Sequence, residues 1–233
     1  MSYCADSSPP VISMETEFWI ERWQRNQIGF HQAEINGYLK EFWRTLDVPE
    51  NGRVFVPLCG KSLDMVWLRA QGHEVLGVEV SPVAVRDFFS ENDLQPERRP
   101  SGEMERYDTD GLTILCGDFF SLSAGNLTGC SSVYDRASLV AFPNTMRRDY
   151  AEHLMAILPA RSPILLVTLE YPQAEMQGPP FSAPEVEVRE LFEKKYAIRR
   201  LHAGDVLADY PRFRDRGLSR LTEKIFTLAP GKT

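Results

Sequence analysis

Two apolar runs, Arg53–Leu58 and Glu74–Val80, are too short for helices, and between them Leu63, Val66, Trp67 and Ala70 recur at helical spacing before Gly72. A strand, a turn, a helix and a second strand in so short a span predict a parallel pair, because parallel strands are joined by a crossover on one face of the sheet. Such strands are apolar on both faces because helices cover both sides of their sheet. The pattern continues down the chain. Val85, Phe88 and Phe89 mark a helix entered through Ser81-Pro82, and Leu112–Cys116 and Ser132–Asp135 read as strands. Asn144–Leu158 carries Met146, Tyr150, Leu154 and Ile157 on one helical face, and Pro163–Leu169 is an almost wholly apolar strand. Gln95 to Gly111, rich in proline and charge, reads as a polar connection. After a proline-rich loop, Gln173 to Pro184, Val188, Leu191 and Phe192 mark a last helix, and segments near Tyr196–Leu201 and Leu221–Leu228 are expected to close the sheet as an antiparallel edge pair. The expected fold is therefore α/β, a Rossmann-like doubly wound sheet of seven mostly parallel strands. Phe18, Trp19 and Trp23, then Ile35, Leu39, Phe42, Trp43 and Leu46, predict two helices ahead of it, an N-terminal helical cover.

The 233 residues are enough for one generous core, and residues 14–233 are read as one domain. Residues 1–13, polar and with Pro9-Pro10, are expected to be a flexible tail. A net charge of −7 offers no general attraction to phosphate backbones or anionic lipid, so neither nucleic acid nor membrane is an expected partner. No apolar run approaches the roughly 20 residues that span a bilayer, and no signal peptide is visible. The four cysteines show neither CxxC nor Cys/His clustering, which implies no metal site and no disulfide framework. A cytoplasmic protein with reduced thiols is expected. No zipper or other interface motif is evident, so a monomer is expected.

In a doubly wound sheet, ligands bind beyond the carboxyl ends of the strands where strand order reverses. Gly60 lies in the first such turn, and Glu79 ends the next strand 19 residues on, the spacing at which a carboxylate accepts hydrogen bonds from a ribose. A dinucleotide requires G-x-G-x-x-G, but Leu58-Cys59-Gly60-Lys61-Ser62-Leu63 has one glycine. A phosphate-binding loop requires a glycine five residues before Gly60-Lys61-Ser62, where this chain has Phe55. S-adenosylmethionine, which carries a ribose and no phosphate, meets what remains. Cys116-Gly117-Asp118-Phe119 after the third strand fits the adenine side, although Asp118 equally reads as a helix cap. Two rivals stand beside this reading: a nicotinamide-dependent dehydrogenase, which the single glycine disfavours, and a non-catalytic module that binds the same ligand.

Taken together, these segments resemble the thiopurine S-methyltransferase family, particularly its bacterial members. The strings that carry the resemblance are Phe18-Trp19, Arg22-Trp23, Asn26-Gln27-Ile28-Gly29-Phe30-His31, Val56-Pro57-Leu58-Cys59-Gly60-Lys61-Ser62 and Gly77-Val78-Glu79. Further on come Cys116-Gly117-Asp118-Phe119-Phe120, Tyr134-Asp135-Arg136-Ala137, Thr168-Leu169-Glu170-Tyr171-Pro172 and Pro211-Arg212-Phe213-Arg214-Asp215-Arg216-Gly217. The resemblance covers residues 15–229 and implies a class I methyltransferase that converts S-adenosylmethionine to S-adenosylhomocysteine. It also implies that Trp23, Leu58, Glu79 and Arg136 contact the cofactor, that Trp19 to Phe30 wrap it, and that Gly117 and Asp118 lie near the adenine. The implied acceptor is a small aromatic or heterocyclic thiol such as a thiopurine, with selenium or tellurium compounds, and hence detoxification, as an extension.

The candidate roles have physical content. The rings of Trp19, Trp23 and Phe30 attract a sulfonium by cation–π contact and exclude water, although aromatic residues of an N-terminal helix also pack for purely structural reasons. Arg136 and Arg212 are candidates to hold an anionic acceptor, against the alternative of ordinary surface or ion-paired arginines. His31 is a candidate to take the thiol proton, against a structural histidine beside aromatics.

Overall fold

Residues 16–231 are described by the computed structural model; the expected tail lies outside the described residues. Arg53–Val56 (β1) pairs in parallel with Glu74–Glu79 (β2) on one side and with Cys130–Arg136 (β6) on the other. Leu112–Cys116 (β5) extends the parallel array beyond β2, and Ile164–Glu170 (β7) extends it beyond β6. Tyr196–Asp205 (β8) and Thr222–Pro230 (β9) complete that end as an antiparallel pair, with β9 between β7 and β8. All seven expected strands are present, and the doubly wound order is the expected one.

The sheet has nine strands, not seven. The additional two, Glu97–Ser101 (β3) and Met104–Thr109 (β4), form a hairpin outside β5 in the stretch expected to be a polar connection. Apolar alternation does not hold this hairpin. Cross-strand ion pairs do: Arg98 with Glu105, and Arg99 with Asp108 at 3.0 Å, while Arg106 reaches Asp108 at 2.6 Å along its own strand. Gly102, at φ +64°, opens the two-residue turn, and Pro100 is tolerated because its strand is an edge.

Alternation along the central strands separates two apolar layers. Val54 and Val56 of β1 pack with Leu63–Ala70 (α3), Pro82–Glu91 (α4) and the N-terminal residues Leu39 and Trp43. Phe55 points the other way, toward Asn144–Ile157 (α5) and Glu185–Phe192 (α6). The N-terminal cover consists of Thr16–Gln24 (α1) and Gly37–Phe42 (α2), the latter shorter than the periodicity predicts because Trp43–Leu46 tightens into a 3₁₀ turn. Asn36 caps α2, Ser62 caps α3, and Ser81 caps α4 with Pro82 in its first turn. Gly77 in β2 makes room for the first turn, since a Cβ there would lie 2.7 Å from the sulfur of Cys59, whose N–H donates to the Val78 carbonyl at 2.9 Å. Among the described residues no helix is long and apolar enough to cross a membrane.

One buried cation holds the α5 side together. Arg147, 1% exposed, donates from Nε to the carbonyls of Leu139 (3.2 Å) and Phe142 (3.0 Å). Its Nη1 reaches the Ser182 carbonyl at 2.8 Å and Glu187 at 2.5 Å. Two segments far apart in sequence are thereby fixed to one guanidinium. Arg147→Met leaves those acceptors and Glu187 without their donor, and is expected to lower the urea-unfolding free energy by about 3–5 kcal/mol, with Arg147→Lys recovering only part because an ammonium lacks the fork.

Candidate functional site

Strand order reverses between β1 and β6, and the turns leaving the carboxyl ends of the parallel strands surround a cavity of about 680 Å³. The turn after β1 contributes Leu58 and Gly60, the end of β2 contributes Glu79, the turn after β5 contributes Gly117 and Asp118, and β6 contributes Arg136. Trp19, Trp23, Phe30 and His31 close it from the N-terminal side, and Arg212, in Pro211–Arg214 (α7), closes it from the C-terminal side. Every residue singled out from the sequence lines this one cavity.

Glu79 organises the donor end. Its carboxylate, 6% exposed, accepts the Gly60 N–H at 2.9 Å and the Ser81 N–H at 2.7 Å, so one side chain fixes the turn after β1 and the cap of α4. Burial pushes its pKa up to about 7, against the pull of the Ser81 and Gly60 amides toward the ionised form. Leu58 (φ +45°) and Gly60 (φ +53°) are both left-handed, which turns the chain sharply as it leaves β1. The Trp23 ring lies over Gly60; a Cβ at that position would approach the ring to 3.1 Å.

The same turn is unsuited to a phosphate. Gly60 N–H is directed to Glu79, and Asp64 N–H is capped by the Ser62 hydroxyl at 3.2 Å. Three amides that could cradle a pyrophosphate at this helix start, those of Gly60, Ser62 and Asp64, are therefore already engaged. A ribose-bearing, phosphate-free cofactor fits what the site offers: a buried carboxylate with lone pairs to spare, a glycine under an aromatic ring, and the indole N–H of Trp19, which has no partner among the described residues.

The end of β6 is tied to the start of α3. Asp64, 1% exposed, accepts from the Asn36 N–H (2.8 Å) and the Tyr134 hydroxyl (3.0 Å), and lies 3.6 Å from Arg136 Nε. Burial and the adjacent Asp64 carboxylate push the Tyr134 phenol well above its ordinary pKa, so it stays a donor. Asp135, on the opposite face, accepts from Tyr150 (2.7 Å) and from Ser138 N–H (3.2 Å), and the Ser138 hydroxyl reaches the Pro57 carbonyl at 2.9 Å. Ala137 takes φ +85° between these anchors.

Aromatic rings form the cover. Phe30 meets Trp19 and Trp23 edge-on, each at 5.5 Å between centroids. His31 has its pKa lowered by burial and then by Lys61, which keeps the imidazole neutral at pH 7. Gly117 N–H donates to the Glu79 carbonyl at 2.9 Å, and Asp118 accepts from Phe120 N–H at 2.9 Å, so the capping role of Asp118 is real and coexists with its place in the wall. Arg212 has its pKa lowered by burial, and its guanidinium lies so close to Gly29 that a Cβ there would be 2.4 Å from Nη1.

Sequence reasoning missed Asp64, Tyr134 and Arg216 as wall residues, together with Phe120, Phe142 and the Pro179-Pro180 loop. Arg22, within the stretch expected to wrap the cofactor, also lines the cavity, three residues after Trp19 on the same helix face. The Pro179-Pro180 loop carried no signal; it reaches the cavity only because Phe181 N–H bonds the Val140 carbonyl at 2.7 Å and Arg147 holds Ser182.

Comparison with known proteins agrees with the geometry. The family described as Thiopurine S-methyltransferase (TPMT) matches residues 14–231. A thiopurine S-methyltransferase from Nitrosospira multiformis is 53% identical over 215 residues, covering 92% of this chain and 98% of the relative. Another from Pseudomonas paraeruginosa is 51% identical over 218 residues, covering 94% and 100%. Among solved structures, a SAM-dependent methyltransferase from Anabaena variabilis matches with TM-score 0.66 at 12% identity, over 99% of this chain and 100% of the other. Burkholderia thailandensis 1,6-didemethyltoxoflavin-N1-methyltransferase, solved with bound 1,6-didemethyltoxoflavin and S-adenosylhomocysteine, matches with TM-score 0.63 at 13% identity, over 99% and 94%. These likenesses establish the methyltransferase fold, and the family match with relatives above half identity shows that the chain belongs to the thiopurine S-methyltransferase family.

Proposed function

We propose that this chain, acting as one catalytic domain over residues 14–233, methylates the sulfur of aromatic or heterocyclic thiols such as thiopurines, with S-adenosylmethionine as donor. The observation that carries the reading is the Glu79 carboxylate, fixed by Gly60 and Ser81 and facing a cavity whose turn has the amides of Gly60, Ser62 and Asp64 already engaged. When bound, S-adenosylmethionine supplies a sulfonium methyl group that an acceptor sulfur takes in line, leaving S-adenosylhomocysteine.

The residues then divide the work. Glu79 accepts the ribose hydroxyls, Gly117 permits close approach of the adenine, and Asp118 reaches its edge. Trp19, Trp23 and Phe30 hold the cationic end by cation–π attraction and exclude water, while Leu58 shapes the turn beneath it. Phe120, Phe142, Pro179 and Phe213 offer apolar walls to a flat acceptor ring. Arg136 and Arg212 stabilise its anionic form, and the neutral His31 imidazole takes the thiol proton. Alignment and desolvation supply most of the acceleration of such a displacement. Selenium and tellurium nucleophiles share the soft, polarisable character of sulfur, which extends the reading to detoxification of those elements. The protein works as a monomer in the cytoplasm.

Methylation of 6-mercaptopurine and of thiophenol with labelled donor is the direct assay; donor binding with no product across thiols and selenite would instead favour a binding module. Glu79→Ala is expected to weaken donor binding by about 1–3 kcal/mol through loss of charge-assisted hydrogen bonds. Because the ionised carboxylate is the ribose acceptor and its pKa lies at about 7, donor affinity should fall as pH drops through that value, approaching about tenfold per pH step at the acid end. Calorimetry near neutral pH in two buffers of different ionisation enthalpy should detect proton release on binding by the native protein and none by Glu79→Gln.

A further inference from the structure

Arg136 enters the cavity from the last position of β6, and one acid fixes where it points. The chain turns immediately behind it, with Ala137 at φ +85°, so the backbone alone leaves this long side chain several directions. Asp64 lies 3.6 Å from its Nε, and Arg136 makes no other ion pair among the described residues. That Nε is buried and has no hydrogen-bond partner among them either, so turning it away from Asp64 would strand an N–H with neither acceptor nor carboxylate beside it. With Nε held to that side, the Nη edge of the planar fork is left for the cavity that Arg136 lines.

Asp64 is itself fixed from three elements. It occupies the first turn of α3, where the helix dipole favours an acid, and is 1% exposed. Its Oδ1 accepts the Asn36 N–H at 2.8 Å from the N-cap of α2, and its Oδ2 accepts the Tyr134 hydroxyl at 3.0 Å from β6. Asn36 is tied in turn to Gln32 at 3.2 Å, the residue that follows His31 of the aromatic cover. Although Asp64 also lines the cavity, both of its oxygens are engaged, so it acts through Arg136 and not on a ligand. A second acid near Arg136, Glu223 of β9, is buried as well, and burial pushes its pKa up to about 7 against the pull of Arg136. No ion pair or hydrogen bond among the described residues joins those two, so Glu223 adds to the local field, whereas Asp64 sets direction.

We propose that Asp64 is a positioning residue for the methyl transfer: its carboxylate aims the Arg136 guanidinium at the bound donor and ties that aim to the N-terminal cover through Asn36. This rests on the reading that Arg136 contacts the donor. Asp64 touches no reacting atom. Its effect is preorganisation, since a guanidinium held in place before the ligand arrives loses less side-chain freedom on binding.

The test is a double-mutant cycle of Asp64→Asn and Arg136→Gln. It is read as S-adenosylhomocysteine affinity by calorimetry and as kcat/KM for S-adenosylmethionine with thiophenol, and the unfolding midpoint of every variant is recorded beside them. Asp64→Asn keeps the size of the side chain and removes its charge. It should weaken binding and lower kcat/KM by about tenfold in the native background, and by less than about twofold once Arg136 is replaced. Glu223→Gln removes a buried acid that acts at a distance and should change both by less than about twofold in the native background. Should Asp64→Asn not fold, Tyr134→Phe takes its place in the cycle: it withdraws one fixed donor from the carboxylate and no charge, with an expected loss of about threefold that vanishes beside Arg136→Gln. A loss of the same size with and without Arg136, no loss at all, or an equal loss from Glu223→Gln would overturn the proposal. If Arg136→Gln alone leaves donor affinity and turnover unchanged, the donor contact assigned to Arg136 falls, and this inference with it.

Discussion

The carboxylate of Glu79 is the constraint on which the rest of the site depends. It ends a strand in the middle of the sheet, draws in the amide of one turn and the amide of the next, and receives on its own carbonyl the Gly117 N–H of a third. Three turns from three strands therefore share one residue. Burial and amide donation oppose each other there, and burial prevails, leaving a pKa of about 7. Keeping this group ionised in the fold costs on the order of 3 kcal/mol relative to an exposed glutamate. Its folded pKa is raised, so its contribution to stability is fully present below about pH 4.5 and is lost as pH rises toward 7. A hydrogen-bond donor placed against this carboxylate would favour its charged form.

A second set of anchors fixes the distance between the two ends of the cavity. Asp64 and Asp135 lie on opposite faces of the sheet, and each holds a tyrosine hydroxyl: Tyr134 at 3.0 Å and Tyr150 at 2.7 Å. Asp135 also orients Ser138, whose hydroxyl reaches back to Pro57, so the departures from β1 and β6 are joined directly. Arg147 does for the acceptor wall what these acids do for the sheet, since its carbonyl partners border Val140, Phe142 and Pro180. Methyl transfer that relies on alignment needs this stiffness, because small displacements of the reacting atoms are expensive in rate.

How much of this was legible in the sequence follows from the range over which each residue acts. The parallel core could be read because burial on both faces leaves uninterrupted apolar runs such as Pro163–Leu169, and the pairing of Gly60 with Glu79 could be read because a strand–helix–strand unit fixes their spacing. The hairpin β3–β4 was not, because ion pairs such as Arg99 with Asp108 and a proline on an edge look like a polar loop when no neighbour is known. Asp64 shows the same limit inside the site. In sequence it is a first-turn acid of a helix, and its partner Tyr134 lies 70 residues away. Resemblance carried Arg136 and Arg212 to the cavity, whereas physical reasoning from composition alone would have left them on the surface.

Charge is distributed in a way that the whole-chain balance conceals. A protein of net charge −7 repels an anionic acceptor at long range, yet the cavity presents Arg22, Arg136, Arg212 and Arg216. Screening shortens the external repulsion to about 8 Å at physiological ionic strength, while charges inside a partly enclosed cavity are screened less. A small anion would therefore meet attraction only after entering the cavity. The exterior sets the encounter rate, which salt raises by screening the repulsion. Inside the cavity, where solvent is partly excluded, salt weakens attraction to the arginines less steeply.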